Sequence, residues 1–179
     1  MKKMFWVDLE MTGLDENIDQ ILEVAVLITD LDFQVLDTYH RIVYQSQTVL
    51  DGMNDWCKTT HGKSGLTALV PKGIALDVIE KDLLELAGKH FIFGKNIEKI
   101  VLCGNSVGMD KRFIDKYMPE LAKRIHYRLV DVTSFKEVFK SKYNTTIQKA
   151  EGHRALDDIH ESIKELKHYL SFVKMPETS

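Results

Sequence analysis

Four carboxylates and one imidazole carry the chemistry this sequence offers: Asp8, Glu10, Asp110, Asp158 and His153. Asp8 and Glu10 interrupt an apolar run from Met4 to Met11, and in a strand they point one way while Val7, Leu9 and Met11 point the other. Two like charges about 7 Å apart along one strand repel each other and resist losing water, and a divalent cation relieves both costs. The plainer alternative is an edge strand with both acids on its wet face. Hard oxygen ligands without cysteine suit Mg²⁺ or Mn²⁺, and two such ions about 3.5–4 Å apart can clamp an in-line displacement at phosphorus. His153 has an intrinsic pKa near neutrality and can take a proton from an attacking water. Its plainer reading is a surface or capping histidine.

These side chains need elements to position them. After the first strand a polar turn, Thr12-Gly13-Leu14-Asp15, leads to strands predicted over 22–29 and 33–43, so at least one neighbouring pair is antiparallel. Residues 50–70 read as short helices carrying Trp56 and His61, and 74–90 has a helical period. A strand over 97–103 closes on Gly104-Asn105-Ser106 and opens into a helix over 109–117. There Asp110 shares a stripe with Phe113, Ile114 and Tyr117 and points toward the core, while Asp115 pairs with Lys111 on the wet face. The alternative for Asp110 is an acid that the helix dipole favours. A strand over 126–132, ended by Asp131 or Thr133, precedes a short helix over 134–140. The last helix, 155–173, has an apolar stripe of Ala155, Ile159, Ile163, Leu166, Leu170 and Val173. Periodicity separates its two adjacent acids: Asp157 falls on the solvated side and Asp158 at the border of the core.

At 179 residues, a single domain with a frayed tail near 175–179 is expected. A net charge of −3 argues against coating long nucleic acid and leaves a short, locally gripped substrate compatible. Cys57 and Cys103 form no zinc spacing or disulfide framework, and no apolar run approaches the length of a membrane span. A soluble cytoplasmic protein is the expectation.

Three segments together resemble the motifs of the DEDDh exonuclease superfamily: Asp8-Leu9-Glu10-Met11-Thr12-Gly13-Leu14, the Cys103-Gly104-Asn105-Ser106 loop leading to Asp110, and His153-Arg154-Ala155-Leu156-Asp157-Asp158-Ile159. More narrowly the chain is similar to the oligoribonuclease family, through Met53-Asn54-Asp55-Trp56, Thr60-His61, Lys116-Tyr117-Met118-Pro119-Glu120-Leu121 and His126-Tyr127-Arg128. The resemblance implies an α/β fold, a ribonuclease-H-like sandwich with a mixed five-stranded sheet flanked by helices. It implies 3′→5′ hydrolysis of oligoribonucleotides of a few nucleotides to mononucleotides, with Asp8, Glu10, Asp110 and Asp158 holding two Mg²⁺ or Mn²⁺ ions and His153 as general base. Leu14 would wedge against a base, Trp56 would stack on one, and His61 and Ser106 would line the cleft. In a homodimer, Tyr127 and Arg128 would reach the neighbouring active site, Tyr127 as a catalytic residue beside His153 and Arg128, with Thr133, as the cap on the 5′ phosphate of short single-stranded RNA. Thr133 stands where the family leads one to expect serine, and Leu129-Val130 replace a more aromatic run.

Two rival expectations accompany this one. A proofreading-type 3′→5′ DNA exonuclease would use the same four acids, and Trp56, His61 and the Tyr127-Arg128 pair speak for short RNA instead. A non-catalytic RNA-binding protein of the same fold would be marked by loss of a metal ligand, and all four acids are present. Without the resemblance, Trp56 would read as a core tryptophan and Tyr127 as a half-buried strand residue.

Overall fold

A computed structural model describes residues 2–92, 99–147 and 154–174. The chain runs β1 (Met4–Met11), β2 (Ile21–Thr29), β3 (Val35–Ile42), α1 (Gln47–Asp51), α2 (Asp55–Lys63), α3 (Leu66–Leu69), a 3₁₀ turn at Val70–Lys72, and α4 (Leu76–His90). Then follow β4 (Ile100–Gly104), α5 (Gly108–Tyr117), α6 (Pro119–Ala122), β5 (Ile125–Asp131), α7 (Val132–Tyr143) and α8 (Ala155–Leu170). The strands form one mixed sheet in the order β3-β2-β1-β4-β5, with β1 antiparallel to β2 and parallel to β4. β1 is therefore the central strand, which removes the edge-strand reading of Asp8 and Glu10.

Burial on both faces explains the near-continuous apolar character of β1 and β2. Phe5, Val7, Leu9 and Met11 point into a core closed by Ile79 and Leu83 of α4 and Phe113 and Ile114 of α5. Met4 and Trp6 point the opposite way, into a core with Ala25, Leu27, Cys103 and the Ala155, Ile159, Ile163, Leu166 stripe of α8. Asp8 and Glu10 continue this second row, so they face α8. The helices α1, α2 and α3 bury Leu50, Met53, Cys57 and Leu66 around Leu22 and form a separate cluster beside the sheet.

Several boundaries differ from the sequence expectation for local reasons. The Asp30 carboxylate accepts from the Asp32 and Gln34 amides and closes a turn that takes Phe33 to φ 63°, so β3 begins at Val35. Ile74 pairs with Val43 in an isolated bridge, which delays α4 to Leu76. Asp131 caps α7 by accepting from the Thr133 amide, so the helix starts at Val132 and runs to Tyr143, longer than expected at both ends. On α8, Leu170 and Val173 are exposed and the helix stops at Leu170; Tyr169 is buried instead, because Phe139 of α7 covers it at 4.9 Å between ring centroids. The frayed tail at 175–179 and the start of the strand predicted over 97–103 lie outside the described residues.

Candidate active site

Asp8, Glu10 and Asp158 each present a ligand atom within 4.8 Å of the other two. β1 supplies the first two from one face, and α8, packed on that face, supplies the third from its first turn. Asp158 is half-buried and Asp157 exposed, the division that helical periodicity predicts. Asp110 arrives from the other side of the sheet. Its helix α5 starts just past the end of β4, whose pairing with β1 involves Phe5 and Trp6. Beyond that pairing the Leu9 amide donates to Asp110 Oδ1 at 2.9 Å. Gly104 makes the crossing possible: a Cβ there would lie 2.8 Å from the Val7 carbonyl oxygen.

Crowding four acids at the heart of the sheet has an electrostatic consequence. Burial, then the charges of Asp110, Glu10, Asp158 and Glu23, raise Asp8 well above the ordinary carboxylate range. Burial and the charges of Asp158, Glu23 and Asp110 push Glu10 up to about 8. Asp110 is raised to about 7 by burial, against the opposing hydrogen bond from Leu9. A cluster of carboxylates that resists ionising together, made of hard oxygens with no cysteine in it, fits Mg²⁺ or Mn²⁺.

A cavity of 360 Å³ opens beside Glu10, walled by Leu14, Asn54, Trp56, Cys57 and His61 among others. Trp56 is 64% exposed and Leu14 68% exposed, so neither is a core residue, and Trp6 takes the core role instead. Leu14 sits in a braced loop. Asp19 accepts from the Thr12 hydroxyl and the Asp15 amide, and the Tyr117 hydroxyl of α5 donates to the Asp19 carbonyl at 2.7 Å. His61 is buried with Nε2 2.8 Å from the Met11 carbonyl oxygen; a carbonyl only accepts, so Nε2 carries the proton and Nδ1 faces Glu10 Oε2 at 3.8 Å.

Ser106 and Thr133 come together at the ends of β4 and β5. The Ser106 amide donates to Asp131 Oδ1 and Thr133 Oγ1, which holds Ser106 at φ 50°, a left-handed conformation for a residue with a Cβ. Neighbouring Asn105 donates to Ser162 Oγ of α8, and that hydroxyl donates to the Asp158 carbonyl. Tyr127 and Arg128 stand apart, exposed on β5 at the sheet edge two strands from β1, with the Arg128 guanidinium 5.4 Å from the Tyr127 ring centroid. The 76% exposure of Tyr127 excludes the half-buried reading. His153 lies outside the described residues.

Three residues at the site escaped the sequence reading. Glu23, directly opposite Glu10 in the β1/β2 register, is buried, and its carboxylate meets His40 Nε2 at 2.5 Å and the Arg154 guanidinium at 2.8 Å. Burial opposes its charge, but hydrogen bonds from His40 and Arg154 outweigh that and hold it below its ordinary value. The available signal was a lone acid in the apolar run of β2, the same anomaly that marks β1.

Comparison with known proteins gives a consistent result. A family model described as exonuclease matches residues 5–166. The mitochondrial oligoribonuclease of Homo sapiens is 47% identical over 174 residues, covering 94% of this chain and 72% of that protein. The oligoribonuclease of Marinobacter nauticus is 41% identical over 172 residues, covering 93% of each. Among solved structures, E. coli exonuclease I in complex with a dA16 oligonucleotide superposes with a TM-score of 0.67 at 11% identity, over 96% of this chain and 41% of that one. At that identity the likeness is one of fold.

Proposed function

The chain belongs to the exonuclease family, and from that membership we propose that it is a 3′→5′ exoribonuclease hydrolysing oligoribonucleotides of two to about five nucleotides to 5′-mononucleotides. The convergence of Asp8, Glu10 and Asp158 within 4.8 Å, with Asp110 tied to the same strand, is the observation that carries this reading. Asp8, Glu10, Asp110 and Asp158 would hold two divalent ions, Mg²⁺ or Mn²⁺, which when bound would supply activation of water and stabilisation of the leaving 3′ oxygen.

The chain's own residues do the rest. His153 takes the proton of the attacking water. Trp56 stacks on a base and Leu14 wedges against one, uses that the exposure of both beside the cavity supports. His61 and Ser106 line the path of the backbone. The active form is a homodimer in which Tyr127 and Arg128 of the partner subunit reach the site, Tyr127 as a further catalytic residue and Arg128, with Thr133, capping the 5′ phosphate; a planar guanidinium binds phosphate oxygens in pairs. The exposure of Tyr127 and Arg128 on an edge strand supports this reading. It acts in the cytoplasm on RNA fragments that other nucleases leave, a setting consistent with two free cysteines.

A time course on 5′-labelled RNA of two, three and seven nucleotides and on matching DNA, with Mg²⁺, Mn²⁺ or chelator, tests the proposal. Metal-dependent release of mononucleotides, fastest on the shortest RNA, is expected. Digestion of the seven-nucleotide DNA faster than of the RNA dinucleotide would reassign the substrate, and no hydrolysis with any metal would overturn the activity.

A further inference from the structure

Among the described residues, no neighbouring side chain caps the start of helix α8. Arg154 occupies the N-cap position and its side chain bonds no amide of the first turn, although the helix carries Asp158 on that turn. The missing acceptor comes from the sheet: Glu23 Oε2 receives the Ala155 amide at 3.4 Å. The Glu23 carboxylate also takes Arg154 Nε at 3.0 and 3.2 Å and Nη2 at 2.8 Å, a fork that fixes the guanidinium in its plane. The Arg154 carbonyl in turn accepts the Asp158 amide at 3.0 Å. An unbroken set of bonds thus runs from β2, through Arg154, to the backbone of Asp158. With His40, Arg154 and Ala155 all donating to it, Glu23 has its oxygens occupied, although it stands directly opposite Glu10.

We propose that Glu23 and Arg154 are the positioning pair of the active site. They seat the first turn of α8, and with it Asp158, against β1, and they keep Glu23 from acting as a further ligand. Neither touches the reacting atoms. The inference rests on reading Asp8, Glu10 and Asp158 as a metal centre.

Charge and position predict opposite signs, which makes the pair testable. Removing a cation beside several acids would by charge alone tighten a divalent ion, whereas loosening Asp158 weakens it. Mn²⁺ binding to the purified protein without RNA, read by calorimetry and electron paramagnetic resonance, is compared for wild type, Arg154→Met, Arg154→Lys and Glu23→Gln. Arg154→Met is expected to weaken Mn²⁺ binding about 10–100-fold and to lower kcat on an RNA dinucleotide in similar measure. KM should stay within about twofold, and Arg154→Lys should recover part of both losses. Mn²⁺ bound as tightly as in wild type or more tightly, with kcat unchanged, would overturn the proposal. Should Arg154→Met lose its fold by circular dichroism, Arg154→Lys decides: it keeps the charge and loses the planar fork on Glu23, so weaker Mn²⁺ binding than wild type supports the pair and wild-type binding and kcat overturn it. A wild-type protein that binds no Mn²⁺ overturns the metal centre and the pair with it, whereas wild-type binding matched by every variant overturns the pair alone.

Discussion

At the scale of single residues, Asp110 accepts from the Leu9 amide and is proposed to hold a metal ion, and one substitution separates the two. Asp110→Asn keeps an oxygen for the Leu9 amide, so the fold should survive, but it removes the negative charge. Turnover of an RNA dinucleotide is expected to fall by more than about 100-fold, beyond the usual effect of an outer partner, with the melting temperature little changed; a wild-type rate would sink the assignment. Glu10 offers a pH test. Its pKa rises from 4.5 to about 8 on folding, so the metal-free folded state holds a proton that the unfolded chain has released. That contribution to stability is present below the unfolded value and is lost as pH climbs to about 8. Calorimetry in chelator from pH 5 to pH 9 should show this decline, and Glu10→Gln should flatten it. Trp56 is the complement: exposed and outside the core, its change to Ala should leave stability alone and cost roughly 1–3 kcal/mol of binding, seen as a higher KM. The acids were legible because each broke a local pattern. Glu23 broke one too, yet its significance lay in the Arg154 side chain brought across from a helix 131 positions away, which no local period reveals.

At the scale of elements, legibility followed the strength of the repeating pattern. The stripe of α5, and that of α8 from Ala155 to Leu166, were readable because period and burial agree there, down to the separation of Asp157 from Asp158. The ends of elements were less so, since a tertiary contact or a cap decides them. Val132 reads as the last residue of a strand but opens α7, because Asp131 turns the chain and captures the Thr133 amide. The same carboxylate oxygen takes the Ser106 amide. Asp131→Ala should therefore cost about 1 kcal/mol through the lost cap and also release Ser106 from its left-handed conformation. A thermal melt measures the first effect, and a larger loss of kcat than of stability would report the second. A variant with wild-type activity and stability would deny the Asp131 carboxylate both functions.

At the scale of the whole molecule, the sheet order could not be read from one chain's periodicity, because periodicity identifies faces to be covered and not what covers them. The mixed order β3-β2-β1-β4-β5 puts the acid-bearing strand in the middle and leaves β5, with Tyr127 and Arg128, at an edge. If those two residues serve a neighbouring site, two inactive proteins should repair each other. Asp110→Asn and Arg128→Ala, mixed and allowed to exchange subunits, should recover roughly a quarter of wild-type dinucleotide activity, since half the dimers are mixed and each holds one complete site of two. No recovery after proven exchange would place Arg128 outside the neighbouring site.

The central place of β1 has one more consequence. It pairs with β2 from Met4 to Met11 and with β4 at Phe5 and Trp6, and both of its faces are covered, so Asp8 and Glu10 are rooted in the part of a sheet that opens last. Their backbone hydrogens should be among the slowest to exchange with deuterium, in chelator as well as in Mg²⁺. If these acids hold the proposed ions, chelation followed by added Mg²⁺ should restore full activity with no refolding step between.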